Sequence, residues 1–150
     1  MITDKRSCKY SEVTNTKSGD NIADNKASCE MVWWFGKSSE QYRIRGQLKF
    51  VGGEERDPFL LTARKEQWGN MSDPAREQFF WKHPGLPFDG QADVPQGGRG
   101  EDGKVLPPPD NFLLMLLYPS RCDYLRLSDN FRQVDDINDD KSWATNQVTP

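Results

Sequence analysis

From Gln41 to Phe50 the chain reads QYRIRGQLKF, with Tyr42, Ile44, Leu48 and Phe50 on one parity and Gln41, Arg43, Arg45, Gln47 and Lys49 on the other. Successive side chains of a strand point to opposite faces, so this period of two predicts a β-strand with one buried face and one basic, amide-bearing face. The run Cys29 to Phe35 precedes it, broken at Gly36 to Ser39, and Gly52 and Gly53 follow it. Two strand-like runs around a short polar break form an antiparallel hairpin.

The remaining patterns are shorter. Pro58 to Trp68 has helical spacing at Phe59, Leu60, Ala63 and Trp68 and stops at Gly69 and Asn70. A second helix is expected in SDPAREQFFWKHPG, with Asp73 as cap, Pro74 in the first turn, and Pro84 and Gly85 as the stop. Residues 10–28 read as a flexible loop with at most a helical turn near Ser11 to Thr14, and the Gly- and Pro-rich residues 85–109 as a second flexible connection. NFLLMLLYP reads as a strand buried on both faces, followed by a turn at Pro119 to Arg121 and a further strand in CDYLRLSD. The acidic VDDINDDK reads as a solvated turn, and SWATNQVTP as a short last strand. Four to six strands and two helices make an α+β, mainly β, chain whose sheet curls into a small barrel, one domain over residues 1–150.

Composition narrows the function classes. Eight Phe, five Trp and four Tyr provide an aromatic core in a chain whose mean hydropathy is only −0.86. A net charge of −3 argues against general nucleic-acid binding, which needs a strongly basic surface. Cys8, Cys29 and Cys122 are odd in number and lack a CxxC pair, so neither a disulfide framework nor a zinc site is expected. The longest apolar run, Phe112 to Tyr118, is seven residues, against about 20 for a membrane-spanning helix. These features predict a reducing, cytoplasmic setting without a membrane or metal.

Each candidate constellation has an ordinary structural alternative. Gln41, Arg43 and Arg45 offer an amide and two guanidiniums to a carbonyl-rich ring or a phosphate, or else form a solvated strand face. Thr3, Arg6, Ser7 and Lys9 place hydroxyls and cations within seven residues, suited to a phosphate or simply a frayed terminus. His83 is the single histidine and either ends a helix or carries proton chemistry. Asp135, Asp136, Asp139 and Asp140 lack the spacing and glycine of an EF-hand. Trp33, Trp34, Phe35, Phe79, Phe80 and Trp81 read as core by default, or in part as a surface for a flat cofactor.

Taken in order, ITDKRSCK, WWFGKSSEQYRIRGQLKF, WGNMSDPAREQFFWKHPG and PPPDNFLLMLLYPSRCDYLRL resemble the FMN-binding split-barrel family of pyridoxamine 5'-phosphate oxidase, and more narrowly its Alr4036-type branch. The resemblance implies a homodimer that binds FMN between subunits and acts as a flavin-dependent oxidoreductase on a small substrate. Gln41 matches the family glutamine that contacts the flavin, with Arg43 beside it, and Thr3, Ser7 and Lys9 match the phosphate-holding segment. Against the family's pattern, the barrel is expected to be N-terminally incomplete, starting after two or three strands that include an Arg-bearing one. Cys8 stands where the oxidases often have Arg, and Phe79 and His83 stand at substrate-binding positions where Tyr and Arg are expected. The C-terminal Arg-x-His signature is missing. Oxidation of pyridoxamine phosphate is therefore not expected, and a non-catalytic FMN module or a truncated family fragment is the alternative.

Overall fold

The computed structural model describes residues 1–14, 27–87 and 93–150, so the loop expectations for 15–26 and 88–92 lie outside the described residues. The elements are β1 (Ile2–Asp4), α1 (Cys8–Thr14), β2 (Ala27–Phe35), β3 (Glu40–Val51), α2 (Pro58–Gly69), α3 (Asp73–Glu77), β4 (Phe112–Arg126), β5 (Phe131–Ile137) and β6 (Trp143–Val148). The chain divides into two compact units, Met1–Ala23 with Phe50–Leu116 and Asp24–Lys49 with Leu117–Pro150, and the divisions fall inside β3 and β4.

In the first unit β1 pairs antiparallel with the start of β4, Thr3 opposite Leu113. The core is aromatic, as the composition predicts. Trp68 and Phe79 pack edge-on against Phe112, with ring centres 5.0 and 5.2 Å from it. Phe112 is fully buried and Trp68 nearly so. A second cluster joins Val51, Leu60 and Leu114. α2 starts where Asp57 accepts a hydrogen bond from the Phe59 amide and Pro58 fills the first turn.

α3 begins at Asp73 with Ser72 as its cap residue, which corrects the assignment of that role to Asp73. The Asp73 carboxylate is instead held by Arg76 and Arg99. The helix ends at Glu77 and continues as a single 3-10 turn to Phe80, shorter than predicted, and α1 is a third helix beyond the two expected. Beyond residue 93, the connection to β4 makes a 3-10 turn at Gln96–Gly98 and is tied down by Trp68 Nε1 donating to the Leu106 carbonyl at 2.6 Å.

In the second unit the hydrogen-bonded order is β2-β3-β4-β5-β6. β3 alternates as its sequence requires: Gly46 and Leu48 are buried while Arg43, Arg45 and Gln47 are exposed. Two expectations fail here. β4 is one 15-residue strand that runs straight through Pro119, not two strands around a turn. Proline's fixed φ is compatible with extended backbone and costs the strand only one donor. The hairpin turn lies later, before Phe131, with Asn130 at φ 56°. The acidic run is half strand: β5 takes Val134 to Ile137, because Asp136 meets Arg121 at 2.8 Å and Asp135 accepts from Thr145 at 2.7 Å, and the expected turn begins only at Asn138. Cross-strand partners neutralise what looks, residue by residue, like a solvated turn.

Candidate functional site

Two groups of polar side chains, one in each unit, carry chemistry that the fold does not use. In the first unit, β1 holds Thr3 and the turn after it returns Ser7 to within 3.4 Å, hydroxyl to hydroxyl. That turn is rigid. Arg6 forks onto the Asp4 carboxylate, the shortest bond being 2.7 Å, and donates onward to the carbonyls of Trp81 at 2.8 Å and Phe79 at 3.2 Å. Asn111 donates to the same carboxylate at 3.0 Å. Arg6 is thus spent on structure. Lys9 stands exposed on α1 and makes no hydrogen bond or ion pair among the described residues, while Tyr10 anchors the helix with its ring 5.1 Å from that of Phe50. Two fixed hydroxyls and an unpaired ammonium are a donor set for a phosphate.

Burial alone would raise the pKa of Asp4, but hydrogen bonds from the Arg6 side chain, the Arg6 amide and Asn111 outweigh it and hold the carboxyl below its ordinary value. A folded-state pKa below the unfolded one stabilises the fold above the unfolded pKa, and that stabilisation is lost as pH falls through the folded value. Between about pH 5 and pH 3 the wild-type Tm is therefore expected to fall more steeply than that of Asp4→Asn, read by thermal denaturation at each pH. Parallel curves for the two proteins would remove Asp4 from this role.

In the second unit the β2–β3 register sets Trp34 opposite Gln41, Val32 opposite Arg43 and Glu30 opposite Arg45. The arginines differ sharply. Arg45 is bound to Glu30 at 2.5 Å, Arg121 to Asp136, Arg126 to Asp129 and Arg132 to Asp123. The Arg43 side chain is exposed and has no hydrogen bond or ion pair among the described residues; its charge acts at longer range, behind Arg132 and Arg121, in lowering the pKa of Asp123. The half-buried Gln41 amide is likewise without a partner. Beside them Trp34 is 50% and Val32 56% exposed. The default reading of Trp33 and Trp34 as core is therefore wrong: β2 is an edge strand, and both rings stand out of the packed interior. An indole, an amide and a guanidinium on one face suit a flat ring with polar edges.

Phe79 meets the first of these groups only through its backbone, its carbonyl accepting from Arg6 at 3.2 Å and from Asn111 at 3.0 Å. Phe79 is 9% exposed, its ring packed in the aromatic core against Phe112. His83 is exposed past the 3-10 turn, with Nδ1 2.9 Å from the Pro84 carbonyl. Among the described residues no three His, Cys, Asp or Glu side chains cluster as metal ligands, and no helix is long and apolar enough to cross a membrane.

Comparison with known proteins follows the same residues. Residues 1–52, which contain Thr3, Ser7, Lys9, Gln41 and Arg43, match the family described as pyridoxamine 5'-phosphate oxidase, FMN-binding domain. Over 125 residues the chain is 27% identical to pyridoxine/pyridoxamine 5'-phosphate oxidase 2 of Arabidopsis thaliana, covering 81% of this chain and 62% of that protein. It thus spans about three-fifths of that relative's length. Among solved structures, an FMN-binding protein related to pyridoxamine 5'-phosphate oxidase from Nostoc punctiforme matches 99% of this chain and 71% of its own, with TM-score 0.76 and 28% identity. PhzG from Burkholderia lata 383, solved with tetrahydrophenazine-1-carboxylic acid, matches all of this chain and 67% of its own at TM-score 0.64; at 21% identity it bears on the fold alone. The mainly β, split-barrel architecture expected from the sequence is the one these structures share.

Proposed function

Starting from the pyridoxamine 5'-phosphate oxidase-like FMN-binding family, to which this chain belongs, we propose that it binds FMN, the second unit offering Gln41, Arg43 and Trp34 to a flavin ring and the first unit offering Thr3, Ser7 and Lys9 to a phosphate. The observation that carries this reading is the unpartnered Gln41–Arg43 pair beside an exposed indole, in a unit where the other arginines are committed to carboxylates. FMN, when bound, supplies hydride chemistry, and the protein supplies position and electrostatics. The Gln41 amide donates to a carbonyl edge, Arg43 offsets negative charge, and the Lys9 ammonium offsets that of the phosphate.

The reading extends to a flavin-dependent oxidoreductase of the Alr4036-type branch acting on a small substrate. It also extends to a homodimer: Val32, Trp33, Trp34 and Phe35, 39 to 56% exposed on an edge strand, supply an apolar surface for a second copy. Free thiols at Cys8, Cys29 and Cys122 favour a reducing, cytoplasmic compartment. One observation favours a second reading, a non-catalytic FMN module: Phe79, at a position matching a substrate contact in the oxidases, is sealed in the core.

The test is flavin retention. After incubation with FMN and gel filtration, the wild-type chain is expected to keep a visible flavin band, and Gln41→Ala and Lys9→Ala are each expected to weaken binding about tenfold, or about 1.4 kcal/mol. A colourless wild-type fraction sinks the reading. Retained flavin with no turnover on pyridoxamine phosphate or other amines selects the non-catalytic form.

A further inference from the structure

In the second unit a cavity of about 850 Å³ opens at the other end of the β2–β3 hairpin, and it includes neither Gln41 nor Arg43. Volumes of this order hold small organic molecules. One wall is largely apolar, formed by Tyr118, Pro119 and Ile137. The lining also carries a charged pair that is self-satisfied: Glu30 and Arg45 close on each other at 2.5 Å. That leaves Lys141, whose ammonium has no partner among the described residues, and Gln47, whose amide has none either. The lysine sits on a built turn. Its backbone is left-handed at φ 70°, its amide donates to the Asn138 carbonyl at 3.0 Å, and the Asn138 amide donates to Ser142 at 2.8 Å.

From this arrangement we propose that the cavity is a binding site for a small organic monocarboxylate, its carboxylate on Lys141 and Gln47 and its compact apolar body against Tyr118, Pro119 and Ile137. One uncompensated cation matches one negative charge. Lys141 and Gln47 are both exposed, so the ligand keeps one side in water; a dianion would exceed the single free ammonium, and an uncharged ring would leave that ammonium unanswered. The proposal is independent of the flavin reading, since it uses none of the same residues.

The probe is 4-fluorobenzoate, followed by fluorine NMR with the purified full chain, and 4-fluorobenzamide is its uncharged counterpart. Benzoate is expected to show saturable line broadening, benzamide to bind at least tenfold more weakly, and Lys141→Gln to lose at least tenfold in benzoate affinity while Lys141→Arg keeps most of it. A second readout places the probe. Cys29 lines the cavity, and its thiol pKa is pushed up by burial, so alkylation is run near pH 9 with peptide mapping. Benzoate is expected to slow alkylation of Cys29 at least threefold and to leave Cys8 unaffected. Absence of saturable binding to the wild-type chain overturns the proposal, as does equal binding by Lys141→Gln or by benzamide. Displacement of the probe by FMN overturns it too, because the cavity would then belong to the flavin site.

Discussion

Gly46→Ala is expected to destabilise the second unit by about 3 kcal/mol or more, because a methyl group there has nowhere to go. A Cβ on Gly46 would press on the Tyr118 carbonyl oxygen and lie 2.8 Å from its carbon and 2.9 Å from the Pro119 Cα. All three are backbone atoms of β4, so no side chain can swing aside and the strands themselves must separate. The backbone of Gly46 is not left-handed, and the requirement is therefore purely for the missing side chain, not for glycine's conformational freedom. Gly69, at the end of α2, is the matched control: nothing lies within 4 Å of its would-be Cβ, and alanine there is expected to be neutral or to add a few tenths of a kcal/mol through helix propensity. Urea midpoints of the two variants decide the matter. If Gly46→Ala unfolds at the wild-type midpoint, β3 and β4 do not approach as closely as described.

The same crossing explains what could be read from the chain and what could not. The period-two run in β3 announced its strand, its buried face and the residues on its polar face, because alternation is a local property that packing only confirms. The aromatic core around Phe112 followed from composition in the same way. What failed was decided by partners distant in sequence. Pro119 reads locally as a turn, yet it lies inside β4. Asp135 and Asp136 read as solvent-loving, yet Thr145 and Arg121 make them strand residues. Arg43 and Arg45 are indistinguishable as letters, and only the register shows that Glu30 lies opposite Arg45 and Val32 opposite Arg43, leaving the Arg43 side chain without an ion pair among the described residues. Trp34 was indistinguishable from core because nothing in WWF says that its strand lies at an edge. The buried arginines of α2 and α3 were missed for a related reason, since a cation in a short helix reads as solvent-facing until the carbonyls it serves are known.

Arg64 is the sharper case, and Arg64→Met is expected to destabilise the first unit by about 2–4 kcal/mol. The side chain is 5% exposed, and its Nε and Nη2 donate to the Phe112 carbonyl at 3.1 and 3.0 Å while Nη2 also reaches the Pro109 carbonyl at 2.8 Å. The guanidinium lies 5.4 Å from the centre of the Phe112 ring. Burial draws its pKa down, and the charges of Glu54 and Asp110 oppose that shift. Methionine keeps much of the apolar stem but serves neither carbonyl, so the loss measures unmet acceptors more than lost packing. Lysine restores the charge without the planar fork and is expected to recover less than half of the loss in urea midpoint. The consequence reaches the proposed cofactor locus through the register, since Phe112 lies opposite Asp4 and Leu113 opposite Thr3. Loosening the start of β4 loosens the strand that carries the Thr3 hydroxyl, so Arg64→Met is also expected to weaken FMN retention by several-fold, though Arg64 is not among the proposed cofactor residues. A variant that loses stability yet holds flavin as tightly as the wild type would separate the two roles and take Thr3 out of the phosphate site.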